Sequence, residues 1–252
     1  MELKGKTALV TGGAHRVGKS IALALAAQGM NLVINYNQSS KAAEETVQEI
    51  QSLGVGALAV QANVAEVEQV FKMEEKANKT FGGVDVLVNS ASVFEATPFP
   101  TTDFSAWQKV TRIAIDGSFY CVNAVAPGML TRGEGAILFI VDLSAWEPWP
   151  NFAAHSVAKA GVMALMRQTA LELAPTVRVN AIAPGPVLPP PDFTPAMIES
   201  TGKNTLLNRW GRPEDVADAV VFLAKADYIT ADVLFVDGGE RYGHRKNYME
   251  QE

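Results

Sequence analysis

The chain has 252 residues, 48% of them hydrophobic, and carries a net charge of −6. That length suffices for one α/β domain with a substantial core, and the acidic balance argues against nucleic acid or an anionic membrane as partner. Its one cysteine, Cys121, excludes an internal disulfide and fits a reducing cytoplasm.

The N-terminus, "MELKGKTALV", enters a strand-like run with no apolar signal core, and no apolar run reaches the roughly 18 residues of a membrane span. A soluble cytoplasmic protein is expected. After the strand "KTALVTG" comes a helix, "VGKSIALALAAQG", closing at Gly29. The strand "MNLVINY" leads to "SSKAAEETVQEIQSLG", a helix with serine caps that closes on Gly54. "ALAVQANV", the helical "EVEQVFKMEEKANKTFG", then "VDVLVNSA" and "GAILFIVD" continue the alternation. A helix rich in Ala, Gly and Val spans about 152–173, followed by the strand "VRVNAIAPG". Residues 183–204, "APGPVLPPPDFTPAMIESTGKN", hold prolines unsuited to helix or central strand and read as a long mobile excursion over a binding site. "DVLFVDGG" is the last strand, and 241–252 a polar, partly disordered tail in which His244 has no assigned role. Strand and helix alternating this way, with strands apolar throughout, predict a single doubly wound Rossmann-type α/β domain over 1–240. Its sheet has seven mostly parallel strands with helices on both faces.

The turn "TGGAHRVGKS", residues 11–20, joins the first strand to the first helix. Glycines there let the backbone approach a pyrophosphate, and the helix N-terminus offers free N–H groups. NAD-binding folds place an acid at the end of the second strand to hold the ribose 2′-OH, but this strand ends "NYNQSS". With no carboxylate to repel a 2′-phosphate, a cation from Arg16 near the adenosine ribose and donors from Ser39 and Ser40, NADP(H) is preferred over NAD(H). In "FAAHSVAKAG", His155 and Lys159 are four residues apart and share one helical face.

Seven ordered pieces resemble the short-chain dehydrogenase/reductase family: "TGGAHRVG", "ANV" at 62–64, "NSAS" at 89–92, "HSVAK", "RVNAIAPGP", "RWGRPEDVADAVVFLA" and "VDGG". More narrowly, the chain resembles the pteridine-reductase branch. Arg16 stands where the wider family has the loop's second glycine, and Asp142, thirteen residues before His155, where most relatives have a catalytic serine. Phe94 matches the ring that stacks a pterin. The resemblance implies cofactor contacts from Gly12, His15, Arg16, Val17, Gly18, Tyr36, Asn37, Ser39, Asn63, Val64, Asn89, Ser90, Ala91, Lys159, Pro184, Gly185 and Val187. Substrate contacts would come from Ser92, Phe94, Trp146 and Trp149, with Phe152 flanking the site.

The resemblance implies Asn, Ser, Tyr and Lys as catalytic groups; this chain offers Ala114, Asp142, His155 and Lys159. The expected catalytic set is therefore Asp142, His155 and Lys159. Imidazole titrates near neutrality, about 6.5 against about 10 for a phenol, so histidine can replace tyrosine as proton donor. Asp142 would orient and charge the ring. The expected activity is NADP(H)-dependent hydride transfer to a carbonyl or pteridine-like small molecule. The alternative is an NADP(H)-binding protein with little native reductase activity, acting as sensor or scaffold. No metal site is expected. The small-residue helix at 152–173 resembles the family's subunit-packing helix and implies a homotetramer or homodimer.

Overall fold

The computed structural model describes residues 1–248. Its strands are β1 (Thr7–Val10), β2 (Asn31–Tyr36), β3 (Ala57–Gln61), β4 (Val86–Asn89), β5 (Gly135–Ile140), β6 (Val177–Pro184) and β7 (Val233–Val236). They form one sheet in the order β3-β2-β1-β4-β5-β6-β7, and every neighbouring pair is parallel. The order reverses between β1 and β4. In open parallel sheets that reversal leaves a crevice beyond the carboxyl ends of the strands, where ligands bind.

Both sheet faces are apolar, because alternate strand residues feed two separate cores. Leu9, Leu87, Ile137, Phe139 and Val179 face one side, covered by α3 (Val67–Phe81), α5 (Gly117–Arg132) and α6 (Ala153–Leu173). Ala8, Val10, Val88, Leu138 and Ile182 face the other, under α1 (Arg16–Ala27), α2 (Ser40–Ser52) and α8 (Pro213–Lys225). This two-sided burial explains why the strands read as continuous apolar runs.

A short helix, α4 (Ser105–Thr111), passes through a π-helical turn at Arg112–Asp116 into α5. The combined stretch Ser105–Arg132 is long and apolar enough to cross a membrane. Here it lies in the core, with Cys121, Val122, Ala124, Val125 and Met129 buried. At Gly117 it passes so close to the β3–α3 turn that a Cβ would meet Val64 Cγ2 at 2.7 Å.

Three local expectations change. The segment 183–204 is not irregular throughout: β6 runs to Pro184, and α7 (Pro195–Lys203) begins within it. Pro195 occupies the first turn, where a missing N–H is harmless, and Thr194 Oγ1 caps the helix by accepting Met197 N–H at 3.3 Å. Ser39 precedes α2, but its hydroxyl makes no capping bond. The tail folds as a 3₁₀ helix over Glu240–Tyr248, and the expectation of disorder beyond it lies outside the described residues.

Candidate active site

The cradle for a dinucleotide is built at the β1–α1 turn. Gly12 has φ +64, and a Cβ there would meet Ala91 Cα at 3.1 Å. A Cβ on Gly18 would sit 2.3 Å from Gly12 O, so α1 starts hard against the turn. Val17 packs into the core beneath. Beside this turn lies a cleft of about 290 Å³. Its walls include Gly12, His15, Tyr36, Asn37, Ser39, Asn63, Val64, Ala91 and Ser92. The ionisable side chains among its lining residues are His15, Tyr36 and Lys109, and none is a carboxylate. The glycine turn and the polar lining can hold the adenosine part of a nicotinamide cofactor.

Arg16 follows in the same turn. Its backbone is left-handed, φ +55, and its guanidinium donates to Leu188 O at 3.4 Å in the loop after β6. A positive φ is a conformation that glycine adopts most readily and other residues adopt seldom. His15, the residue before it, lines the cleft.

The second half of the site rises from β5 and α6. Asp142 follows β5, and His155 and Lys159 lie on the inner face of α6, 5% and 7% exposed. His155 Nε2 is 2.7 Å from Asp142 Oδ2. Asp142 Oδ1 accepts from Ser144 N–H at 3.0 Å and from the Ser144 hydroxyl. Lys159 Nζ donates to Ile140 O at 2.9 Å and lies 4.0 Å from Asp142 Oδ2. An ammonium has three donors, so two remain for a ligand. Burial alone would raise the Asp142 carboxyl. The His155 hydrogen bond and the Lys159 charge outweigh it and hold the group at about 2. Burial lowers Lys159, against the pull of Asp142.

Aromatic rings close the entrance. Phe94, 53% exposed, stacks on Phe152 with centroids 4.1 Å apart and meets the His155 ring edge-on at 4.9 Å. Trp149 lies nearly parallel to His155, 15° and 5.7 Å away. Trp146 does not join this group: it packs on Phe235 at 4.9 Å, with Arg241 over the other ring. The loop carrying Phe94 is tied to α6, since Thr97 N–H donates to Asn151 O at 2.7 Å and Thr97 Oγ1 accepts Ala154 N–H at 2.9 Å.

A family model described as enoyl-(acyl carrier protein) reductase matches residues 12–240. The chain is 38% identical to 3β-hydroxysteroid dehydrogenase 1 of Eggerthella lenta, covering 94% of each chain. It is also 38% identical to the 3-oxoacyl-[acyl-carrier-protein] reductase FabG of Staphylococcus epidermidis, over 93% of this chain and 98% of the other. Among solved structures it is similar to a blue fluorescent protein from a metagenomic library in complex with NADPH. That likeness has 30% identity and a TM-score of 0.88, covering 95% of this chain and 99% of the other. The chain belongs to the short-chain dehydrogenase/reductase family, and it is an oxidoreductase of that type.

Two residues of this short-chain oxidoreductase shape the cradle and escaped the sequence reading. Thr11 Oγ1 accepts both Ser90 N–H at 2.9 Å and Ala91 N–H at 3.0 Å, fixing the turn after β4 against the glycine loop. Asn35 accepts Gly12 N–H on Oδ1 at 3.3 Å and donates to Ala62 O at 2.9 Å, joining the loop to the end of β3. The available signal was a buried amide in an otherwise apolar strand, since such a group needs partners. Asn89, at the end of β4, has a buried Nδ2 without a partner among the described residues. Gly185 N–H donates to Val236 O at 3.0 Å, which sets Pro184, Gly185 and Val187 at the edge of the crevice beyond β6.

Proposed function

We propose that this oxidoreductase uses NADP(H) in preference to NAD(H). Its substrate is a small carbonyl or pteridine-like molecule, and His155 is the group that exchanges a proton with it. The observation that carries the reading is the buried His155–Asp142 pair at 2.7 Å beneath the exposed Phe94 ring. The nucleotide would rest against Gly12, His15, Tyr36, Asn37, Ser39, Asn63, Val64 and Ala91, with the two free donors of Lys159 for its ribose. When bound, it supplies or accepts the hydride. The carboxylate-free cleft wall supports a 2′-phosphate.

The chain's own part is to orient and to move a proton. Asp142 is held ionised, and Ser144 anchors its other oxygen. The carboxylate therefore pins the imidazole in the orientation from which it can pass a proton to or from a substrate oxygen. Phe94, Trp149 and Phe152 exclude water and offer flat apolar walls. Ala114, where the resemblance expects an asparagine, adds no polar group. The likeness to a hydroxysteroid dehydrogenase and to the 3-oxoacyl reductase FabG supports a carbonyl or alcohol centre. A subunit assembly through the outer face of α6, where Val157 and Leu171 are exposed, and a cytoplasmic location complete the reading.

Titration calorimetry with NADPH and NADH tests the cofactor. Consumption of NADPH with quinones, diketones and dihydropterins tests turnover. Tight NADPH binding without consumption by any of them would instead favour a binding protein without reductase activity, and no binding of either nucleotide would end the proposal.

A further inference from the structure

We infer that His155 exchanges the substrate proton through Nδ1, with Asp142 and Trp149 acting as positioning residues that fix the ring's tautomer and its plane. This rests on the reading of His155 as the proton-transferring group and adds which atom acts and what directs it.

An ionised carboxylate only accepts hydrogen bonds, and Asp142 is ionised across the working pH range. The 2.7 Å contact between His155 Nε2 and Asp142 Oδ2 therefore requires a hydrogen on Nε2. That hydrogen stays in place in both charge states of the ring. Nδ1 is then the nitrogen whose proton can come and go, and the ring's hydrogen bond among the described residues is made by Nε2 alone.

The surroundings leave the ring little freedom to exchange the two nitrogens. Asp142 is itself held by Ser144, and Lys159 stands 4.0 Å from the oxygen that His155 contacts. Trp149 covers one face of the imidazole at 15° and 5.7 Å, and the Phe94 ring meets it edge-on at 4.9 Å. The Trp149 backbone is held in turn: its main-chain N–H donates to Ser156 Oγ at 3.2 Å, one residue beyond His155. The charged groups facing His155 are thus Asp142 and Lys159.

In the oxidative direction the substrate O–H bond breaks, an Nδ1–H bond forms, and the carbon's hydride leaves to the oxidised nicotinamide. The products are a carbonyl, the reduced nicotinamide and an imidazolium that returns its proton to water. In reduction Nδ1–H gives its proton to the oxygen as hydride arrives at carbon.

The test replaces His155 by Nδ-methylhistidine, which blocks Nδ1 and keeps the ring. Phenanthrenequinone with NADPH is the substrate pair, and NADPH affinity is measured in parallel. The expected result is a loss of kcat of at least about 100-fold, as for a missing general acid, with NADPH affinity unchanged. Turnover within about threefold of the unmodified enzyme would overturn the inference.

A second readout needs no turnover. In protein with ¹⁵N-labelled histidine rings, assigned by loss of a signal in His155→Gln, His155 should show a protonated Nε2 with a slowly exchanging, downfield proton. Asp142→Asn should abolish that proton signal. Trp149→Ala should broaden it, and Trp149→Phe should restore it. A neutral His155 protonated on Nδ1 would overturn the inference even if NADPH binds and is consumed. An absence of NADPH binding in the unmodified protein would instead remove the functional reading beneath it.

Discussion

Replacing Asp142 by asparagine probes the buried pair through stability, independently of turnover. The carboxyl is displaced from an ordinary 3.8 to about 2, with the His155 hydrogen bond and Lys159 overcoming the effect of burial. At about 1.4 kcal/mol per unit, that displacement corresponds to about 2 kcal/mol. The folded state prefers the ionised form. The contribution is therefore complete above the ordinary value of 3.8 and disappears as pH falls through about 2. The variant also leaves the buried Lys159 ammonium without the carboxylate 4.0 Å away. Asp142→Asn should lower the unfolding free energy at pH 7 by about 2 to 3 kcal/mol, read by urea denaturation monitored by tryptophan fluorescence. Repeated at pH 5, the gap between the two proteins should not shrink, because both conditions lie above the window. A gap below about 0.5 kcal/mol at pH 7, the range of an ordinary surface substitution, would refute the reasoning. So would a gap that closes between pH 7 and pH 5.

Glu240 behaves in the opposite sense: burial, with Asp237, Glu147 and Asp142 nearby, raises it to about 7. The stability it leaves intact at low pH is lost as pH rises from about 4.5 through 7. Glu240→Gln should therefore stabilise the protein at pH 8 by about 1 to 2 kcal/mol after allowance for solvent screening, and change little at pH 4, as read by thermal unfolding. Gly12→Ala should weaken NADPH binding at least tenfold by calorimetry, since the Cβ would meet Ala91 Cα at 3.1 Å on a backbone with φ +64. His15→Ala should lower the NADPH-to-NADH affinity ratio several-fold, whereas Arg16→Ala, which removes a contact to Leu188, should leave that ratio nearly unchanged. Thr97→Val removes the acceptor of Ala154 N–H and should cost about 1 kcal/mol in urea denaturation, with a raised KM as the Phe94 loop loosens.

Most of the fold was readable from one physical regularity. Strands buried on both faces carry apolar residues at every position, and "TALV", "VLVN" and "GAILFI" do so. Glycine punctuation at Gly29, Gly54 and Gly82 marked helix ends, and all three adopt positive φ. The misreadings came where local chemistry has two uses. A proline excludes the helix interior but suits a first turn, so Pro195 looked like a breaker and is a start. A serine before a helix can cap it or face a cleft, and Ser39 faces the cleft.

The site shows the same division between backbone and side chain. What the chain pattern dictates is the crevice: parallel strands, the reversal between β1 and β4, and glycines where backbones nearly touch. What it leaves open is how polar groups inside the crevice pair. The spacing of Asp142 and His155 was visible, but their 2.7 Å contact depends on α6 being held at the correct rotation beside β5. That rotation is set by residues distant in sequence. Thr97 accepts the Ala154 N–H at the start of the helix, and a Cβ on Gly161 would meet Ile115 Cδ1 at 3.0 Å, in the π-helical turn before α5. The same turn brings Ala114 into the core beside α6, so the neighbouring helix retains its bulged course although its expected polar group is absent. The contact between Asp142 and His155 thus rests on backbone and packing contacts made from outside β5 and α6, at Thr97 and at Ile115.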